Sequence, residues 1–206
     1  SDYSDAPGWK SSPAYYGTIT YIDINGDGLT DVCARGGQGI YCSEGTGTKF
    51  NTHKLWTAGY SDAQGWNSSA SYYGTIKFAD VTGDGLPEVC GRGAQGIFCS
   101  ENNASGFINT QQGLGFEAQK LWTGNFSNSL GWGAAPYYAS LKFIDVNADG
   151  LIDVCGRGSV AIECIENQGD KFSYRYEWSN DYANNQSWNL AKYDSTLRFV
   201  DFTGDG

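Results

Sequence analysis

Oxygen-bearing side chains recur at positions one, three, five and nine of a short glycine-containing stretch, a spacing that suits a hard divalent cation. Asp23, Asn25, Asp27 and Asp31 form the first set, with Gly26 and Gly28 between them and the Leu29 carbonyl available at position seven. Ca²⁺ takes six to eight oxygen ligands, and a short loop must curl tightly to offer them; glycines that tolerate positive φ permit the curl. The stretch recurs as Asp80, Thr82, Asp84, Leu86 and Glu88, and again as Asp145, Asn147, Asp149, Leu151 and Asp153. Asp201, Thr203 and Asp205 begin a fourth. One such loop alone reads as a plain turn, but three in one register predict one Ca²⁺ per complete repeat. No glutamate stands at position twelve and the flanks read as strands, so the loop is not an EF-hand.

Catalytic chemistry is sparse. The chain has one histidine, and neither a Gly-x-Ser-x-Gly nor a His-Glu-x-x-His arrangement. Carboxylate pairs can run glycoside hydrolysis, but here the acids repeat in the loops and read as structural ligands, so no enzyme is expected. Binding chemistry is better represented. Trp9, Trp66, Trp132 and Trp188 recur beside Gly or Ser; Tyr15-Tyr16, Tyr72-Tyr73 and Tyr137-Tyr138 follow the first three. Arg35, Arg92 and Arg157 recur once per unit. Aromatic faces stack on sugar rings, and a nearby Arg or Asn can bind hydroxyls. Trp66, Tyr72, Tyr73, Arg92, Trp132, Tyr137, Tyr138 and Arg157 are therefore candidate ligand contacts. The competing reading is packing between units for the aromatics, and salt bridges or carbonyl contacts for the arginines.

The elements that must carry these residues are strands. Metal loops start 57, 65 and 56 residues apart, and the four tryptophans keep nearly the same step, in the range of propeller blades. The surplus in the second unit falls in a Gly/Asn/Gln-rich insertion from Asn102 to Phe116. Within a unit, Thr18 to Ile22 alternates as a strand into the metal loop, Thr30 to Arg35 leaves it, Gly36 to Gly39 turns, and Ile40 to Ser43 returns. Phe50 to Trp56 supplies a fourth strand and Gly59 to Tyr73 a connector. Four short antiparallel strands make one blade. Trp56, Trp122 and Trp178, on the fourth strands, read as core or inter-blade residues. The expected units are about 1–57, 58–123, 124–179 and a partial 180–206.

Six cysteines pair as Cys33/Cys42, Cys90/Cys99 and Cys155/Cys164, each nine apart. If Gly37-Gln38 is a two-residue hairpin turn, Cys33 faces Cys42 where side chains of opposed strands come closest. Zinc ligands stand closer together in sequence, so disulfides are expected, and with them an oxidising compartment. Each bridge closes a short loop and contributes roughly 2–3 kcal/mol. Ser159-Val160 in the third unit is poor chemistry for such a turn.

Together these motifs resemble FG-GAP/VCBS-type repeats, the calcium-loop blades of integrin α-chain heads and of many secreted microbial proteins. Tyr-Tyr before the first strand, then "DVC-R", "GI-C" and "GW", is similar to repeats of secreted fungal and bacterial lectin-like propellers of the Psathyrella velutina lectin type. The resemblance covers nearly the whole chain. It departs from the integrin form, which has Phe-Gly and Gly-Ala-Pro pieces. Ala148 replaces a loop glycine, and Glu88 replaces the ninth aspartate. It implies an all-β propeller of six or seven blades, of which three units and part of a fourth lie here; the chain is expected to be part of a longer one.

Charge and composition agree. Plentiful glycine (29 residues) and 15 % aromatics suit short strands and tight turns. The net charge of −10 opposes a nucleic-acid partner. Eleven of the 23 acids lie in the loops, so three bound Ca²⁺ would bring the charge to −4. No stretch is apolar enough to enter a membrane. No signal peptide and no initiator Met are present, which reads as a mature or excised segment. Acceptor sequons stand at Asn67, Asn103, Asn125 and Asn185. The expected function is a secreted or cell-surface, non-catalytic glycan-binding or adhesion module, its partners glycans or extracellular proteins. The alternative is a structural piece that self-associates by ring completion or into a filament, or an accessory propeller of a secreted enzyme.

Overall fold

A computed structural model describes residues 8–103, 115–188 and 196–198. Three four-stranded antiparallel sheets follow one another along the chain, each in the order of its sequence. The first holds β1 (Thr20–Ile22), β2 (Asp31–Gly36), β3 (Gly39–Ser43) and β4 (Lys54–Thr57). The second holds β5 (Lys77–Ala79), β6 (Glu88–Gly93), β7 (Gly96–Ser100) and β8 (Lys120–Thr123). The third holds β9 (Lys142–Ile144), β10 (Asp153–Arg157), β11 (Ile162–Asn167) and β12 (Phe172–Ser179). Among the described residues the sheets do not close into a ring. The fourth strand starts four residues later than the sequence suggests, because Phe50 forms only an isolated bridge to Gly45. Asn102 and Phe116 bridge in the same way and so pinch the base of the second unit's insertion.

The connectors hold helical turns that the sequence pattern concealed. Helices α1 (Pro13–Tyr16), α2 (Ala70–Tyr73) and α3 (Ala135–Tyr138) each carry the Tyr-Tyr pair. In the first two, Ser12 and Ser69 accept a hydrogen bond from the second backbone N–H, the usual serine N-cap. One turn of helix has no apolar periodicity to read, so only the cap could have announced it.

The core lies between sheets. Ile24, Cys33, Ile40 and Trp56 of the first unit pack with Tyr60, Trp66, Ile76, Val89 and Phe116 of the second. Val81, Ile97 and Trp122 pack likewise with Trp132, Val154, Ile165 and Phe172. Central strands β2, β6 and β10 are buried along their whole length, as a strand covered on both faces must be. Trp56 and Trp122 are 1 % and 4 % exposed, each against a phenylalanine of the next unit. Trp178 occupies the same position in β12 but is 49 % exposed. It departs from the expected burial because no further sheet covers it among the described residues.

Cys33, Cys90 and Cys155 face Cys42, Cys99 and Cys164 in register, with Cα atoms 4.1 Å apart in each bridge. This is the close, non-hydrogen-bonded kind of antiparallel pair. In the third unit the turn is wider: Gly158 N–H donates to the Ala161 carbonyl, and strand pairing stops at Arg157↔Ile162. The unsuitable Ser159-Val160 is accommodated without moving the cysteines.

Two backbone positions are sharply constrained. Gly96 opens β7 at φ 142°, where a Cβ would lie 1.9 Å from the Thr123 carbonyl oxygen. Ala148 adopts φ 61° in the third loop, where the first two loops place Gly26 and Gly83. Gly96→Ala is expected to destabilise the chain by about 2–4 kcal/mol, through clash and strain. Ala148→Gly should raise stability by about 0.5–1 kcal/mol, by relieving a left-handed alanine. Chemical denaturation of the two variants checks both signs.

Candidate functional site: the blade-junction clefts

At each junction an arginine ties one sheet to the next connector. Arg35, Arg92 and Arg157 are all fully buried. Arg35 donates to the Tyr60 and Ala14 carbonyls and pairs with Asp62, whose other oxygen accepts from the Tyr15 hydroxyl at 2.6 Å. Arg92 donates to the Phe126 carbonyl at 2.6 Å, to the Ser71 carbonyl at 3.2 Å and to the Asn128 amide oxygen. The Asn128 amide nitrogen donates in turn to the Tyr72 hydroxyl. Arg157 keeps the polar partner, Asn184, which donates to the Tyr137 hydroxyl, but it donates to different carbonyls, those of Gly158 and Trp188. Each guanidinium also lies 5.5–5.8 Å from the ring centre of the first tyrosine in its unit's Tyr-Tyr pair. Burial pulls the Arg92 pKa down, partly opposed by Tyr72.

A cleft of about 380 Å³ lies over the second clamp, lined chiefly by Trp66, Tyr72, Gln64, Gln95, Phe98 and Gln119. Trp66 meets Tyr72 and Phe98 edge to face, at 6.3 and 6.4 Å. Its ring sits against Gly91, where a Cβ would come within 2.9 Å, so the indole is wedged in place and offers the cleft only part of its surface. A smaller recess of about 150 Å³ occupies the corresponding place in the first unit, between Trp9, Tyr15, Tyr41 and His53. The arrangement combines aromatic walls with amide rims, and holds no nucleophile–base pair.

The structure sorts the candidate contacts. Trp66 and Tyr72 line the cleft, while Arg92 is enclosed behind Tyr72. Trp132, Tyr137 and Arg157 hold the same relation in the third unit. Tyr73 and Tyr138 are partly buried one residue beyond, and Tyr138 packs on the core. Gln64, Gln95, Phe98 and Gln119 escaped sequence reading. The glutamine that precedes the glycine of the β-turn, repeated as Gln38 and Gln95, was the available signal. Asn67, Asn103 and Asn185 are exposed and Asn125 is partly buried.

The acidic loops lie at the opposite end of the sheets, between β1 and β2 and their counterparts. The Asp23 carboxylate accepts the N–H groups of Gly26, Asp27 and Gly28; Asn25 accepts from Asp27, and Asp27 from Leu29. Asp80 and Asp84 repeat these bonds, as do Asp145, Asn147 and Asp149. Leu86 and Leu151 reach back to within 3.0 Å of where Gly26 and Gly83 would carry a Cβ, so successive loops nest.

The ninth position behaves differently. Asp31, Glu88 and Asp153 are fully buried. Asp31 takes the Ile24 N–H on one oxygen and the Gly45 N–H on the other; Glu88 takes Val81 and Asn102, and Asp153 takes Val146 and Asn167. Burial pushes all three carboxyls up, against the pull of these donors. Thr82 turns its hydroxyl toward Glu88. Asn102 and Asn167 then donate to the Ile24 and Val81 carbonyls of the preceding loop, at 2.8 and 2.7 Å. Among the described residues no three acidic, histidine or cysteine side chains gather in a metal-binding group. The first, third and fifth oxygens and the Leu29 carbonyl have the chemistry of a calcium donor set, whereas the ninth carboxylate is already engaged as a staple. Asp201, Thr203 and Asp205 lie outside the described residues.

Comparison with known proteins follows this geometry. Residues 23–91 match the FG-GAP-like repeat family. No curated protein sequence matches the chain. Among solved structures, it is similar to an Agrocybe aegerita lectin that specifically recognises non-reducing terminal N-acetylglucosamine, with TM-score 0.67 and 25 % identity, over 80 % of this chain and 38 % of the lectin. It is also similar to the Photorhabdus luminescens Tc holotoxin pore, with TM-score 0.52 and 17 % identity, over 78 % of this chain and 7 % of that one; this second likeness concerns the fold alone. The chain thus spans well under half the length of either relative.

The clamps yield a test. Arg92→Leu leaves the Phe126 and Ser71 carbonyls buried without a donor, and is expected to destabilise the chain by about 2–4 kcal/mol in urea unfolding. A loss below about 0.5 kcal/mol would mean that the guanidinium does not hold the junction. These three stacked sheets, with an FG-GAP-like repeat over residues 23–91, are blades of a β-propeller.

Proposed function

We propose that this chain is a non-catalytic carbohydrate-binding module whose blade-junction clefts take the non-reducing ends of neutral glycans. The observation that carries the reading is the cleft bounded by Trp66, Tyr72 and Phe98 and rimmed by Gln64, Gln95 and Gln119. Aromatic walls suit the C–H faces of a sugar ring, and amides can both donate to and accept from its hydroxyls. Likeness to a lectin for terminal N-acetylglucosamine supports that sugar as the first probe. A second recess, of about 360 Å³, shares Gln64 and Gln119 and gives room for a further ring. One weak site per junction gains avidity through repetition. Three disulfides suit an oxidising, extracellular setting. Among the described residues no helix is long and apolar enough to cross a membrane.

One observation favours the structural alternative. Tyr174, Tyr176 and Trp178 expose a broad aromatic surface on β12, suited to stacking another blade of this chain or of a partner. That role is compatible with glycan binding and leaves the cleft untouched.

Calcium belongs to the proposal as a stabiliser of the loop end, held by Asp23, Asn25, Asp27 and the Leu29 carbonyl and by their counterparts. The buried ninth carboxylate keeps those donors in place.

Two experiments test these readings. Gln95→Ala removes an exposed amide from the cleft and should weaken N-acetylglucosamine binding about tenfold, close to 1.4 kcal/mol, with thermal unfolding unchanged. Calorimetric titration giving equal affinities would remove this cleft from the account. Millimolar calcium should raise the melting temperature relative to EDTA, since a site filled to 100 times its Kd adds about 2.7 kcal/mol. Coincident melting curves would exclude calcium as a stabiliser.

A further inference from the structure

The three junctions do not share one chemistry. Phe98 forms one wall of the second cleft; the position paired with the glycine that precedes the clamp arginine (Gly91 in β6, Gly156 in β10) is Phe98 in β7 and Glu163 in β11. Gln119 precedes the residue that faces Cys99, and Arg175 precedes the residue that faces Cys164. The third unit thus replaces an aromatic ring and an amide with an ion pair, Glu163 to Arg175 at 2.8 Å. The rim inverts as well. Gln64 closes its one-turn 3₁₀ helix and Leu130 closes the next; Gln95 precedes β7's opening glycine and Val160 stands at the same place in the following turn. Leu130 and Val160 are 56 % and 54 % exposed. Amide edge over aromatic wall has become aliphatic edge over charged wall.

Resting on the reading of the clefts as sugar sites, we infer that Glu163 and Arg175 are specificity-determining residues that exclude from the third junction the neutral sugar taken by the second. Three physical effects act together. The C–H face of the sugar loses the ring it would cover. Its hydroxyls lose amide partners at the rim, and an unpaired polar group in a closed site is penalised. A neutral ring pressed on the ion pair would strip water from Arg175 while offering no charge in return. Glu163 is already 92 % shielded, lies against Gly158, and directly faces Glu177 across the strands, so the pair cannot swing aside cheaply. Discrimination by a misplaced charge is a general way to reject a ligand. Trp132, Tyr137 and the Arg157 clamp are nonetheless retained, so the junction keeps its scaffold and changes only its ligand-facing surface.

The test follows the indole N–H resonances of Trp66 and Trp132 during titration with methyl N-acetylglucosaminide. In the unaltered chain Trp66 should shift and saturate, and Trp132 should respond at least tenfold more weakly. The double variant Glu163→Phe, Arg175→Gln should bring the Trp132 response to within threefold of that of Trp66. The reciprocal Phe98→Glu, Gln119→Arg should abolish the Trp66 response and guards against a folding failure in the first variant. Equal responses of Trp66 and Trp132 in the unaltered chain would overturn the inference, as would a reciprocal variant that is folded and still binds at Trp66. If neither tryptophan responds in any protein, the sugar-binding reading itself has failed.

Discussion

A guanidinium fully buried between two sheets must find acceptors there, because its charge cannot be given up and its desolvation is costly. Arg35, Arg92 and Arg157 meet that demand with carbonyls from both sides of a junction and with a polar side chain of the following connector. The connector is thereby fixed in position over the sheet that precedes it. The tryptophan of the arginine's own unit is wedged beside that unit's central strand, and the first residue of that unit's Tyr-Tyr pair is oriented by the same polar residue that takes the guanidinium. The partner varies between Asp62, Asn128 and Asn184 while the geometry persists, so the constraint is the buried hydrogen bonding and not the ion pair alone.

This constraint holds the cleft's floor in place from the neighbouring unit, while the lining of the cleft itself comes from the second unit alone. Walls come from that unit's tryptophan, tyrosine and turn; Gln119 immediately precedes the strand that closes the same sheet. The acidic loops sit at the other end of the central strand. There the ninth carboxylate and the Asn102 and Asn167 side chains bind each loop to its successor. One end of the stack is thus held by buried cations on carbonyls and the other by buried carboxylates on amides. The disulfide pins the hairpin between them. The cleft and the acidic loops are separated by the length of a strand.

Much of the fold was legible because it is repeated and local. Nine-residue cysteine spacing marks the hairpin register, and the recurrence of the loops and tryptophans marks one four-stranded sheet per repeat. The single-turn helices were missed since four residues contain no periodicity. Phe50 was overextended into a strand because apolar character there serves a bridge and a contact with Tyr21. Candidate contacts were legible by residue type only in part. Trp66 and Tyr72 were found through repetition, whereas Phe98 and Gln119 meet only once the strands are paired. Ninth-position carboxylates looked equivalent to the other loop acids, since sequence spacing does not reveal that a side chain turns inward to backbone N–H groups.

The central claim is that a neutral sugar occupies the junction cleft that the Arg92 clamp shapes. Its most direct test is a crystal of the chain soaked with N-acetylglucosamine. The account predicts sugar density between Trp66, Tyr72 and Phe98, with hydroxyls on the surrounding glutamine amides and the clamp unmoved. An empty cleft alongside sugar bound elsewhere on the sheets would contradict it.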